Sequence, residues 1–302
     1  MKSSTEIHSD IALDRSRFMD YVSLTKPELT FLSVITALAG YILGSDGAVS
    51  PLHLAACLFG VALVGGSAGT LNQLMERRWD AMMKRTGHRP LPSGRLAPQD
   101  ALVFGVASAC IGLTVLAIVA GVLTTVLGAV TLGIYLFMYT PMKRVTPWAT
   151  IVGAVPGALP PLMGWTAAGK PLNLTALFLF AVLFTWQVPH FLSLAWIYRH
   201  DYAQAGYHLL PRFDADGGKT ARESLAFMGM LMLVIGVPCV SGFFGVIYMA
   251  GAVVTTGLFL ISGWVHLLER SNRSARLMFA ASLIYLPTLM GLMVIDRLLL
   301  PA

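Results

Sequence analysis

An all-α, polytopic membrane protein is the fold class that this sequence predicts, on three observations: high hydropathy, long apolar runs and a lopsided placement of positive charge. With 56% hydrophobic and 12% charged residues and a mean hydropathy of +0.71, the 302 residues carry too little polar surface to cover a soluble globule. Runs able to cross about 30 Å of hydrocarbon fall at residues 29–44, 52–75, 99–120, 122–140, 147–168, 173–197, 224–242, 244–267 and 276–295. The expected architecture is nine transmembrane helices surrounding a central cavity open toward the cytoplasmic side.

The elements follow in chain order. Residues 1–20 are polar and of mixed charge, with no apolar core before a small-residue cleavage site, and read as a disordered cytoplasmic tail rather than a signal peptide. Residues 21–302 are expected to form a single domain, because no linker divides them and no short repeat is evident. Tight turns near Gly121 and Gly242 separate the third from the fourth span and the seventh from the eighth. Gly65 with Gly69, and Gly153 with Gly157, have the small-xxx-small spacing that lets helix backbones approach closely. Pro189 lacks a donor and should kink the sixth span. Cys57, Cys110 and Cys239 form no CxxC and read as small core residues, not as a disulfide framework or thiolate metal site.

Orientation follows from the 21 Lys and Arg residues. When loops are assigned alternately to two sides, nineteen fall on one side and only Lys170 and Arg297 on the other. The basic side is the cytoplasmic one, which places the N-terminus inside and the C-terminus outside. This asymmetry also accounts for the net charge of +6. The basic residues sit beside spans and lack a free-standing basic domain or an aromatic–basic surface, so no nucleic-acid partner is expected.

Chemistry concentrates in two charged segments. In NQLMERRWDAMMKRTGHRPLPSG, residues 72–94, the oxygen-bearing side chains of Asn72, Glu76 and Asp80 recur every four residues. That spacing stacks them on one helix face where lipid gives way to water, a set suited to a hard cation. The second segment, from Trp186 to Pro211, leaves the sixth span and places His190, Tyr198 and Asp201 on one face of a continuous helix. Two acidic helix ends with Lys26, Arg85, Lys143 and Arg144 nearby suit a diphosphate on a hydrophobic tail. Mg²⁺ is commonly held by a few carboxylates and substrate phosphates, cations neutralise the remaining phosphate charge, and the membrane interior holds the tail.

Several blocks of sequence carry a more specific likeness. They are Asn72–Glu76–Asp80, Met83-Lys84-Arg85-Thr86 with Arg89-Pro90-Leu91-Pro92-Ser93-Gly94, Tyr139-Thr140-Pro141-Met142-Lys143-Arg144, Pro160-Pro161-Leu162-Met163-Gly164, Trp186-Gln187-Val188-Pro189-His190-Phe191 and Asp201-Tyr202-Ala203-Gln204-Ala205-Gly206. On these the chain resembles the UbiA-type intramembrane prenyltransferase superfamily and, within it, the branch that farnesylates protohaem IX. The resemblance implies transfer of a farnesyl group from farnesyl diphosphate to a haem vinyl group with addition of water, giving haem O for terminal oxidases or a downstream haem A synthase. It also implies a bacterial inner membrane. Asn72, Glu76, Asp80 and Asp201 would then be the Mg²⁺ and catalytic set, and Lys26, Arg85, Arg89, Lys143 and Arg144 the diphosphate-binding one. Two departures stand out. Glu76 replaces the superfamily's first aspartate, and Ala205 stands where many relatives carry the second motif's last acid, so the second cluster is expected to bind metal more weakly or through Asp201 alone.

Duller readings compete at each position. Glu76 and Asp80 could be a salt-bridged helix end beside Arg77, Arg78 and Lys84. Asp201 could cap a helix or pair with Arg199, and Lys143 and Arg144 could be topology determinants only. His190 is open to two readings: a structural histidine bonded to a neighbouring helix, or a haem-iron ligand, water-positioning group or substrate contact. Tyr198 shares the water-positioning role. His53, His88, His208 and His266 receive none. At the level of function, prenylation of an aromatic quinone precursor is the alternative. A transporter is disfavoured because the acids cluster at one membrane face rather than the midplane.

Overall fold

The computed structural model describes residues 16–45, 49–240 and 242–299, and among them the regular structure is helical. Helix α1 covers 16–24, so residues 16–20 belong to a helix rather than to the polar tail. Residues 1–15 lie outside the described residues. The remaining helices are α2 (Pro27–Gly44), α3 (Pro51–Asp80), α4 (Pro98–Val119), α5 (Val122–Gly133) continued by a π-helical segment (Ile134–Tyr139) and α6 (Thr140–Met142), α7 (Ala149–Gly157), α8 (Pro160–Ala167), α9 (Leu174–Ile197), α10 (Arg199–Gln204), α11 (Gly218–Val234), α12 (Val237–Val240), α13 (Val246–Glu269) and α14 (Asn272–Leu299).

Seven of the described helices are long and apolar enough to cross a membrane: α2, α3, α4, the α5–α6 unit, α9, α13 and α14. Of the nine expected spans, two therefore differ from continuous membrane helices. The span expected at 224–242 is a 17-residue helix, α11, that begins earlier and stops at Val234. The one expected at 147–168 is split into α7 and α8, because Pro156, Pro160 and Pro161 cannot donate to a helical ladder. At that break the Ala158 N–H bonds Val155 O instead of Ala154 O, at 3.1 Å. The freed Ala154 carbonyl accepts from Gln187 Nε2 of α9 at 2.6 Å. Gly157 leaves room for this side chain, since a Cβ there would overlap Gln187 Oε1.

Helix starts follow local rules. Pro occupies the first turn of α2, α3 and α4. Asn173 Oδ1 accepts from Ala176 N at the start of α9. Asp214 accepts from Lys219 N, Thr220 N and Thr220 Oγ1 at the start of α11. Near the chain's end, buried Asp296 of α14 accepts from Gly245 N and Tyr248 N and so caps α13.

Helix α2 packs on α3, α8 and α14, bringing the first and last long helices together. The main core runs through Leu43, Val64, Met163, Trp165, Phe178 and Leu179. Large apolar side chains such as Phe31, Val103, Ile118, Phe137, Val246 and Ile284 point outward, as lipid contact requires. Cys110 is also exposed on α4, so it is not a core residue, whereas Cys57 is buried. The side chain of Cys239 lies outside the described residues.

Backbones touch where α2 crosses α8. A Cβ on Gly40 would overlap the Pro161 carbonyl, and one on Gly164 would overlap Ala37 O. Replacing Gly by Ala inside a helix gains about 1 kcal/mol of propensity. Forcing rigid backbones apart costs ~1–3 kcal/mol, and here no side chain can rotate away. Gly164→Ala is thus expected to lower the detergent-solubilised melting temperature, while Gly291→Ala, with open space around it, leaves it unchanged or raised. Equal melting behaviour of the two variants would show that the α2–α8 crossing is not close-packed.

Candidate active site

Asn72, Glu76 and Asp80 share one face at the end of α3, and all three are buried, at 0%, 5% and 2% exposure. Burying two carboxylates costs several kcal/mol per ion unless cations come with them. Lys143 Nζ lies 2.5 Å from Glu76 Oε1, and Arg89 Nη1 lies 2.9 Å from Asp80 Oδ2. Lys26 Nζ donates to Asn72 Oδ1 at 2.5 Å, while Asn72 Nδ2 donates to Thr140 Oγ1 at 2.9 Å.

Each cation is delivered by a local irregularity. Lys26 has a left-handed backbone, φ 50°, between α1 and α2. Arg89 sits in the loop after α3, where Thr86 Oγ1 bonds Asp80 O and Arg95 ties the loop back to Asp20 of α1. Lys143 follows the π-helical turn, whose Tyr135 carbonyl accepts from Thr140 Oγ1. Such turns widen the helix by one residue per turn and are frequent at functional sites. Lys143 also lies 4.6 Å from the Tyr139 ring centroid and 5.8 Å from that of Tyr207.

The second motif meets the first at the same end. Tyr202 Oη accepts from Arg85 at 3.2 Å, and the Arg85 guanidinium lies 5.1 Å from the Tyr198 ring centroid. His208 N donates to Lys143 O at 2.7 Å. Asp201 opens α10, is partly exposed, and makes no ion pair among the described residues. Ala205 is 2% exposed in a cluster with Met83, Ala149 and Tyr207. A carboxylate at that position would be buried among apolar groups, so the missing acid fits the packing.

Two sequence expectations change, and the surroundings of His190 become defined. The α9 helix ends at Ile197 and restarts at Arg199, with Tyr198 outside helical geometry at φ −103°, ψ 22°. His190, Tyr198 and Asp201 therefore do not share one helical face. His190 turns toward α14, where Nδ1 meets Ser282 Oγ at 2.7 Å. Arg144 is exposed and stacks on Trp79 at 4.2 Å, outside the carboxylate cluster. Conversely, Thr140, Tyr139, Tyr202 and Tyr207 brace the site. The first three stand in sequence blocks already singled out, whereas nothing in the sequence marks Tyr207.

Electrostatics separate the two lysines. Burial pushes the Lys26 ammonium down to about 7; the Glu76 carboxylate opposes this, and Lys143 and Arg89 reinforce it. Burial also disfavours the Lys143 charge, but the adjacent Glu76 carboxylate overrides it and holds the group well above the ordinary lysine value. The donor set of Glu76, Asp80, Asn72 and Asp201 is all oxygen, which fits a hard cation that completes its shell with phosphate and water. Among the described residues no three His, Cys, Asp or Glu side chains form a closed metal cage.

Two outcomes follow from this geometry. Lys143→Met leaves Glu76 buried without its cation and should cost ~3–5 kcal/mol of stability. Adding Glu76→Gln should recover much of that loss in a double-mutant cycle. Additive losses would mean the pair is not coupled. Separately, inorganic diphosphate placed beside a largely neutral Lys26 at about pH 8 favours its charged form, so binding should take up protons. At about pH 6, where Lys26 is already protonated, the uptake should vanish. Calorimetry in buffers of different ionisation heat reads this directly, and identical heats in wild type and Lys26→Met at the higher pH would remove Lys26 from the anion site.

The family model for the UbiA prenyltransferase family matches residues 33–284. The protoheme IX farnesyltransferase of Solibacter usitatus (strain Ellin6076) is 43% identical over 287 residues, covering 92% of this chain and 98% of its own. That of Salinibacter ruber (strain DSM 13855 / M31) is 43% identical over 280 residues, covering 92% and 98%. Among solved structures, a digeranylgeranylglyceryl phosphate synthase superposes with a TM-score of 0.79 at 16% identity, covering 94% of this chain and 100% of that one. A UbiA homolog from Archaeoglobus fulgidus bound to DMAPP and Mg²⁺ gives 0.69 at 15% identity, covering 93% and 100%. These structures share the fold, and the sequence matches are extensive enough to establish that the chain belongs to the UbiA prenyltransferase family.

Proposed function

We propose that this membrane protein transfers a farnesyl group from farnesyl diphosphate to a vinyl group of protohaem IX, with addition of water, giving haem O and diphosphate. The observation that carries this reading is the buried pairing of Glu76 with Lys143 and of Asp80 with Arg89 at one end of a lipid-embedded helix. The relatives that match the chain over nine-tenths of its length are named for that same transfer.

An incoming diphosphate offers Lys143, Arg89 and Lys26 new oxygen partners, with Arg85 within the same group of elements. As these cations turn to phosphate, Glu76 and Asp80 are released to act as ligands together with Asn72 and, from α10, Asp201. Mg²⁺, when bound, neutralises the charge that accumulates on the departing diphosphate. Lys143 and Arg89 stabilise that same charge from the protein side. The isoprenoid tail extends into the apolar interior, where dry walls protect the allylic cation from premature hydrolysis. The electron-rich haem vinyl supplies the π electrons for the new C–C bond, so no protein nucleophile is required. Water then adds to the resulting cation and loses a proton. Tyr198, at the polar end of α9, is the residue we assign to orienting that water.

We place the site on the cytoplasmic side of a bacterial inner membrane, with the N-terminus inside, on the distribution of Lys and Arg. Haem O would pass to a terminal oxidase or a haem A synthase.

Expression in a host lacking its own enzyme tests the reaction and acceptor together. Extracted haem should gain the mass of farnesyl plus water; a prenylated aromatic acid with unmodified haem would favour quinone biosynthesis instead. Asp80→Ala and Asp201→Ala should each lose at least about a hundredfold in turnover while remaining folded, and Glu76→Asp should be mild. Near-normal turnover of either alanine variant in Mg²⁺ would overturn the metal assignment.

A further inference from the structure

Three histidines lie within the long helices, and their ring nitrogens are used differently. His53 engages both: Nδ1 meets Tyr41 Oη at 2.7 Å and Nε2 meets Val119 O at 2.9 Å. His266 bonds Ser274 Oγ through Nδ1, and its Nε2 is sealed inside the protein without a partner among the described residues. His190 differs from both. Its Nδ1 is bonded, while its Nε2 has no partner among the described residues and is not among the sealed atoms.

The hydrogen-bond network also assigns the His190 tautomer. Ser282 Oγ donates its single proton to Phe279 O at 2.5 Å. Toward His190 that hydroxyl oxygen can only accept, so Nδ1 carries the hydrogen and Nε2 presents a lone pair. Trp186 holds the same serine by donating Nε1–H to Ser282 O at 2.9 Å. The imidazole is stacked by Trp186 and Phe279, with centroids 5.1 and 4.8 Å away. A neutral imidazole with Nδ1–H committed to a fixed acceptor and Nε2 open is the arrangement that a metal-ligating histidine needs. Among the described residues His190 belongs to no group of three His, Cys, Asp or Glu side chains, and a single such nitrogen suits an iron already held by four porphyrin nitrogens.

Resting on the farnesyl-transfer reading above, we propose that His190 Nε2 is the axial ligand to the iron of the haem substrate. Position gives this bond a purpose. His190 lies eight residues before Tyr198, about 12 Å along the axis of α9, below the diphosphate layer. A haem pinned there by its iron can direct an edge toward the allylic carbon. Hydrophobic contact alone would leave the flat macrocycle free to rotate in its plane and to slide.

Resonance Raman spectroscopy of the full-length protein loaded with ferrous protohaem, without farnesyl diphosphate, tests the assignment. Wild type should show an iron–imidazole stretching band. His190→Gly should lose it, bind haem at least about tenfold more weakly and regain the band with added imidazole, while still binding farnesyl diphosphate. Ser282→Ala removes the acceptor for Nδ1–H and should lower the band frequency with ligation intact. It also serves as the deciding variant if His190→Gly does not fold. A band that persists in His190→Gly, or one that is unmoved in Ser282→Ala, overturns the proposal. Wild type that binds haem without any such band overturns it too and leaves the transfer reaction standing. Wild type that binds farnesyl diphosphate but no haem overturns both the ligand and the acceptor.

Discussion

Two carboxylates buried at the end of a membrane helix impose the constraint around which the rest of the molecule is arranged. Glu76 and Asp80 are each no more than 5% exposed, and ions so placed are tolerated only with partners close by. The partners come from separate parts of the chain: Arg89 from the loop after α3 and Lys143 from the turn after α6, with Lys26, at the entry to α2, held on Asn72. Neutralising one helix end therefore requires that several loops converge on it. The same convergence gathers cations and side-chain oxygens at one helix end, the combination on which the proposed diphosphate site rests.

Departures from regular helix supply several of these contacts, and side chains bond backbone carbonyls at two of them. The π-helical turn at Ile134–Tyr139 carries Lys143 to Glu76 and gives Thr140 to Asn72. The α7–α8 break is repaired by Gln187, about three turns along α9 from the point where that helix itself stops. The break at Tyr198 frees α10 to present Asp201 and to lay Tyr202 against Arg85. In hydrocarbon, irregular backbone is tolerated only where protein or a polar cavity covers it. The Ala154 carbonyl freed at the α7–α8 break meets that requirement through Gln187.

Most of the long spans and the stacked acids at the charged end of α3 were legible from the chain alone. They are written in hydropathy and in four-residue spacing, which depend on neighbours along one helix or on the bilayer itself. What failed did so where a helix is interrupted or where packing decides which face is covered. Continuous spans at 147–168 and 224–242 gave way to proline-driven and local breaks, a face shared by His190 and Asp201 assumed a helix that stops at Tyr198, and Cys110 turned out to face lipid.

By itself, then, the sequence determined that the chain enters the membrane, which of its acids stack together and which cations are available to them, because periodicity and hydropathy are local properties. Only the tertiary structure decided that Lys143 takes Glu76 and Arg89 takes Asp80, that Arg144 stays outside on Trp79, and that Ser282 fixes the tautomer of His190. Those choices are made between residues far apart in sequence, and pairing in a low-dielectric interior depends on distance and burial that no one-dimensional pattern encodes.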